Sequence, residues 1–165
     1  MSERLPRRLP LPALALPIMP DLAQIPAPLA QLLASPDFSN RLGTPAALAV
    51  QDSAKAELDR LAPFSAPVSA GVLTLWIAPI MASVANPRSP EAFQPWFAAL
   101  QMAVAYIPAA AFNESTQRIA LQTFKMFPTA ADVCEVVADA SRSIVDRVEA
   151  LKAIINAKPR GGAHA

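Results

Sequence analysis

An all-α fold is predicted: a compact bundle of about five to six helices carrying an extended, Pro-rich N-terminal arm. Three observations predict it. Ala and Leu dominate and β-branched residues rarely alternate with polar ones, so strands have no pattern to form on. Between 129 and 157 apolar residues recur in steps of three and four, the period of a long amphipathic helix. Eighteen prolines against four glycines cut the rest of the chain into short segments with few left-handed turns.

With 165 residues the chain is one domain plus tails. The expected division is an arm over 1–28, a helical domain over 29–157 and a tail over 158–165. Apolar residues are 53% and charged residues 16%, so much of the charge-poor length must be buried. The net charge of +1 comes without a basic run, and no direct nucleic-acid binding is expected. One cysteine, Cys134, excludes an internal disulfide, and with the single His164 it makes no ordinary zinc set.

Seven prolines interrupt residues 1–28. Arg4, Arg7 and Arg8 ahead of leucines imitate a secretory leader, but Pro10, Pro12, Pro17 and Pro20 break the helix that a leader needs. An extended arm lying along the domain or a partner is expected instead. A short helix over 28–34 ends at Ser35-Pro36, and a turn follows through Asn40 and Gly43. Thr44 then caps a helix over 45–61, with Pro45 at its first position and Pro63 and Pro67 ending it. Leu48, Leu58 and Leu61 are expected on its inner face, and Gln51, Asp52, Lys55, Glu57 and Asp59 on its outer face.

From Leu61 to Ala111 only Arg88 and Glu91 are charged. An apolar helix over 69–84 contains Pro79, where a kink is expected. Ser89 as N-cap, Pro90 at the first position and Glu91 in the first turn begin a second apolar helix, bent at Pro95 and running to about Tyr106. The stretches 66–87 and 92–113 carry no charge, and each approaches the ~20 apolar residues of a membrane span. A holin-like two-helix hairpin is therefore an alternative. The prolines and the many alanines favour buried helices of a bundle in the cytoplasm. Asn113 caps a helix over 114–126 with Ile119, Leu121 and Phe124 inward and Gln117, Arg118, Gln122 and Lys125 outward.

The stretch Phe127-Pro128-Thr129-Ala130-Ala131-Asp132-Val133 is the hinge between the Pro-broken part and the last helix. Thr129 is placed as N-cap, Asp132 as the carboxylate that answers it three residues on, and Pro128 and Phe127 as the entry of the chain. On the last helix Glu135, Asp139, Arg142 and Asp146 fall on the polar face and are the candidate partner contacts. Asp132, Glu135 and Asp139 share a face, but no His or second acidic helix joins them, and no Ser or Thr has an activating neighbour. No catalytic residue, cofactor or metal is assigned, and the chain is read as a protein that works by contact rather than as an enzyme.

From Gly71 to Val145 the chain presents a helix with Leu73-Thr74-Leu75-Trp76, a Pro/Ser loop, and a helix with Trp96-Phe97-Ala98-Ala99-Leu100 that closes on Tyr106-Ile107-Pro108. A further helix and the Phe127-Pro128-Thr129 start follow. This order resembles small α-helical phage proteins of the helicase-loader type, and prophage proteins of α-proteobacteria with the same closing motif. It departs from them in lacking an Arg- and Trp-rich helix before the motif and in its Pro-rich first 45 residues. The resemblance implies a non-catalytic replication adaptor that docks on a hexameric replicative helicase, using the arm 1–28 or the tail 158–165 as its mobile contact. A helical interaction protein of another phage process is the remaining alternative.

Overall fold

The computed structural model describes residues 15–20 and 24–160. The expectations for 1–14, 21–23 and 161–165, including most of the arm and the end of the tail, fall outside the described residues.

Among the described residues the fold is all-α. Eight α-helices follow one another: α1 (Ala27–Leu33), α2 (Phe38–Arg41), α3 (Pro45–Ala49), α4 (Gln51–Ser65), α5 (Ala70–Ser83), α6 (Pro90–Ala103), α7 (Glu114–Thr123) and α8 (Ala130–Asn156). A 3-10 turn, Ala109–Ala111, lies between α6 and α7. Eight helices replace the expected five to six because the first third of the domain is broken into short pieces.

α8 is the spine. Its near half buries Val133 and Val137 in a cluster with Leu73, Trp76, Ile80 and Leu100 of α5 and α6. Its far half buries Leu151 and Ile154 against Leu29, Ala47, Ala54 and Leu61 of α1, α3 and α4. Buried positions 133, 137, 144, 151 and 154 lie on one stripe of the 3.6-residue helix, so one helix serves both clusters.

The expected helix 45–61 is two helices. Val50 leaves helical geometry at φ −103°, ψ 7°, and α4 starts afresh at Gln51. α4 also runs through Pro63 to Ser65 instead of ending before it. The restart puts Gln51 at the C-terminus of α8, where carbonyls have no helical partner. Gln51 Nε2 donates to the carbonyls of Ile154 (3.0 Å), Ile155 (3.3 Å) and Ala157 (2.9 Å). Gly43 sits beside it at φ +80°, and its carbonyl accepts from the Arg160 amide at 3.2 Å. A Cβ at Gly43 would stand 2.5 Å from the Lys158 carbonyl, so a side chain is excluded by both conformation and space.

Two residues placed on the outer face of the 45–61 helix are not there. Glu57 is buried, gripped by Arg60 through Nε–Oε2 at 2.7 Å and Nη2–Oε1 at 2.8 Å, and Gln51 is the cap just described. The paired guanidinium is what makes burial of the Glu57 carboxylate tolerable.

α5 is continuous through Pro79. Proline has no N–H, so the Leu75 carbonyl one turn back loses its helical donor. Gln117 of α7, expected to face outward, supplies one: its Nε2 donates to the carbonyls of Leu75 (3.2 Å) and Trp76 (2.8 Å). Ile119, expected inward, is exposed, while Thr116 and Ala120 take the buried face. The α7 N-terminus is held by a reciprocal cap between Asn113 and Thr116. Trp76 Nε1 donates to Thr116 Oγ1 at 3.2 Å, and that hydroxyl donates in turn to the Ala111 carbonyl at 2.7 Å.

The charge-free runs 66–87 and 92–113 fold as α5 and α6, with 14 residues each. At ~1.5 Å per residue each is about 21 Å long, short of the ~30 Å hydrocarbon layer. No helix among the described residues is long and apolar enough to cross a membrane. α6 ends at Ala103 rather than at Tyr106, and Met102 and Tyr106 are exposed instead of packed.

Candidate functional site

The hinge is where α6, α7 and α8 meet. Thr129 is the N-cap of α8: its Oγ1 accepts from the Asp132 amide at 3.2 Å, and Asp132 Oδ2 accepts from the Thr129 amide and hydroxyl, both at 2.7 Å. The Thr129 amide, and after it the hydroxyl, holds the Asp132 carboxyl below its ordinary range.

Phe127 and Pro128 face the aromatic residues of α6. Trp96 Nε1 donates to the Pro128 carbonyl at 3.2 Å, and the Trp96 ring meets the Phe127 ring edge-on with centroids 4.6 Å apart. Phe93 and Phe97 extend the row, with ring centroids 5.6 Å apart and nearly parallel planes. Arg88 lays its guanidinium 4.5 Å from the centre of the Phe127 ring, a cation–π contact. These aromatics are half-buried and fill each other's edges, so they form a packed joint rather than an open ligand box.

Below the joint a groove of about 570 Å³ opens between the end of α7 and the start of α8. Phe124, Met126 and Val136 give it apolar walls, and Lys125, Asp132 and Glu135 give it a charged rim. Glu135 is also the first member of the stripe Glu135, Asp139, Arg142 and Asp146. All four are exposed, in steps of four, three and four along one side of α8. Asp139 and Arg142 form an exposed ion pair at 3.5 Å. Asp146, at the far end, lines a second groove with Ile25, Ala30 and Leu33. From Glu135 to Asp146 the stripe spans about 16 Å of helix. The hinge residues and the stripe therefore meet at Glu135.

Sequence reasoning missed a third groove of about 420 Å³ between α4 and α8, walled by Leu58, Ala62, Tyr106, Val145 and Val148. Its only sequence signal was the lack of charge around Tyr106. Cys134 is half-buried beside the hinge, and burial raises its thiol above the ordinary range, away from the reactive thiolate. Among the described residues no group of three or more His, Cys, Asp or Glu could hold a metal ion.

Compared with protein-family models, with curated proteins and with solved structures, the chain gives no match.

Proposed function

We propose that the protein is a non-catalytic adaptor of phage or prophage DNA replication, helicase-loader-like, acting in the cytoplasm of a bacterial host by contact with a hexameric replicative helicase. The observation that carries this reading is the joint of Trp96 with Phe127 and Pro128. The Trp96-bearing helix and the Phe-Pro-Thr helix start are two of the segments on which the resemblance rests, and they are in direct contact. The exposed stripe Glu135, Asp139, Arg142 and Asp146 runs from that joint along the longest helix. It offers a partner both signs of charge on a rigid support, which suits a specific polar contact.

The test is affinity capture from a bacterial lysate with the full chain as bait, with mass spectrometry of what is retained. The replicative helicase is expected among the captured proteins, and its capture should fall when Glu135 and Asp139 are changed to Lys. Capture of a different phage or host protein in its place would point to the third alternative, an interaction protein of another process.

A further inference from the structure

Tyr106 projects from the surface with 78% of its area exposed, yet the backbone that carries it is held on both sides. The Ile107 amide donates to the Val104 carbonyl at 2.9 Å, the Val68 amide to the Ile107 carbonyl at 3.1 Å, and the Ala109 amide to the Ala66 carbonyl at 2.7 Å. The last two bonds make a short antiparallel bridge that fastens the Tyr106 turn to the segment just after α4. An aromatic side chain shown on a fixed backbone loses little freedom when it docks. Beside it runs the groove of about 420 Å³ between α4 and α8. Leu58 and Val148 are the outer edge of the second core cluster there, and Val145 is 43% exposed. The two helices are antiparallel, since Gln51 at the start of α4 stands at the end of α8. The two ends of the groove therefore differ. Asp59, Glu149 and Lys152 rim the end nearer the α8 C-terminus, with Lys152 and Glu149 paired at 2.9 Å. The end beside Ser65, Tyr106 and Pro108 carries no charge.

We propose that this patch is the interface of a symmetric dimer, and that the occupant of the groove is Tyr106 of a second copy. A two-fold contact demands one patch that is complementary to itself. Here a protruding ring and a groove that can receive it lie side by side. Charge then chooses the direction. Grooves laid parallel would bring the two charged ends together, with two acids to each lysine, and Asp59 of one copy would face Glu149 of the other. Turned end to end, the charged end of each copy meets the uncharged end of its mate. The Tyr106 ring then lies over Leu58 and Val148 of the second copy and against the Lys152 stem, and its hydroxyl reaches Asp59. The groove is about 10 Å long from Val145 to Lys152, so the two-fold axis passes near Ala62 and Val148 at its middle. The small side chain of Ala62 lets the two α4 helices approach there. This self-association does not depend on contact with a helicase.

The experiment is sedimentation velocity of the full chain from the low micromolar range upward, over about three decades of concentration. The sedimentation coefficient is expected to rise from that of a monomer to that of a dimer and to stop there. Tyr106→Ala and, separately, Val145→Asp should weaken the association at least about tenfold. Both sites are exposed, so dilute samples of the variants should melt with the wild type. Disulfide trapping in a Cys134→Ser background reads the direction. Chains with Asp59→Cys, mixed with chains with Ser65→Cys, are expected to give the 59–65 dimer in excess over either homodimer. A chain that stays monomeric at every concentration overturns the proposal. So does a dimer that survives Tyr106→Ala and Val145→Asp, or one that traps the homodimers in excess. Assembly that continues past the dimer means a head-to-tail contact, and the symmetric interface is then wrong.

Discussion

Trp96 and Pro128, 32 positions apart, are joined by a hydrogen bond of 3.2 Å from the indole N–H to the carbonyl. It ties α6 to the turn that starts α8, and the Trp96–Phe127 ring contact seals the same joint. Trp96→Phe keeps most of the ring and removes the donor, so a loss of about 1 kcal/mol is expected in urea unfolding. The Phe127 ring is only half-buried. Phe127→Ala should therefore cost less than the ~3–5 kcal/mol of a fully buried ring, about 2 kcal/mol. If neither variant changes the unfolding midpoint, the joint does not hold α6 on α8.

The α8 cap should be visible in the acid limb of the stability curve. Asp132 is held below its ordinary pKa by Thr129, so the folded state binds its proton more weakly than the unfolded state does. Its contribution is complete above the unfolded value of about 4 and disappears as pH falls through the lower folded value. Thr129→Ala removes the cap oxygen and should cost about 1 kcal/mol at neutral pH. Asp132→Asn should flatten the drop in melting temperature between neutral and acid pH. A wild-type acid limb with undiminished slope in Asp132→Asn would show that other carboxylates carry it.

Gln51 and Gly43 close the far end of α8. Gln51→Ala removes the donor shared by the Ile154, Ile155 and Ala157 carbonyls, of which Ile154 keeps the Ala157 amide, and should destabilise by about 1–2 kcal/mol. Gly43→Ala meets both the left-handed backbone penalty of about 1–2 kcal/mol and the Lys158 carbonyl. It should also free the Arg160 amide, which native hydrogen exchange would report as lost protection. Retained protection at Arg160 in Gly43→Ala would contradict the clasp.

Thr116 is a buried hydroxyl with donors and acceptors on three sides. Thr116→Val keeps its shape but leaves Trp76 Nε1 and the Asn113 amide without their acceptor. About 1–3 kcal/mol per orphaned donor is expected, and Thr116→Ser should recover most of it. Equal melting temperatures for the Val and Ser variants would mean that the hydroxyl network contributes nothing.

Local chemistry in the sequence was legible where it decides the outcome. Thr44, Ser89, Asn113 and Thr129, placed as caps from residue type and position, each accept a backbone N–H at a helix start. The period of α8 gave its buried stripe, because a helix of that length has one consistent apolar side. The errors at Gln51 and Gln117 are long-range, and at Glu57 the partner is three residues on but the burial is not local. Gln51, Glu57 and Gln117 were placed outward because they are polar, and each instead meets a need that only the folded chain creates. For Gln51 the need is the end of α8, for Glu57 it is a buried pairing with Arg60, and for Gln117 it is the carbonyl orphaned by Pro79. Pro63 was read as a helix end, yet α4 runs through it to Ser65, while Pro79, read as a kink site, lies inside α5 as expected of a kink rather than a break. At the hinge the Thr129–Asp132 cap was readable from four consecutive residues. The groove beside Glu135 was not: its lining falls within one stretch, 123–136, but a cap motif does not give the path of the chain from α7 into α8.

The contact reading is tested most directly by titrating a purified hexameric replicative helicase into the full chain and following Trp fluorescence anisotropy alongside sedimentation. Saturable binding with a defined number of chains per hexamer is expected. It should be weakened at least about tenfold, ~1.4 kcal/mol, by Glu135→Lys with Asp139→Lys, two exposed changes that leave the fold and its melting temperature unaltered. No binding by the wild type, or equal binding by the reversed-charge stripe, would contradict the account.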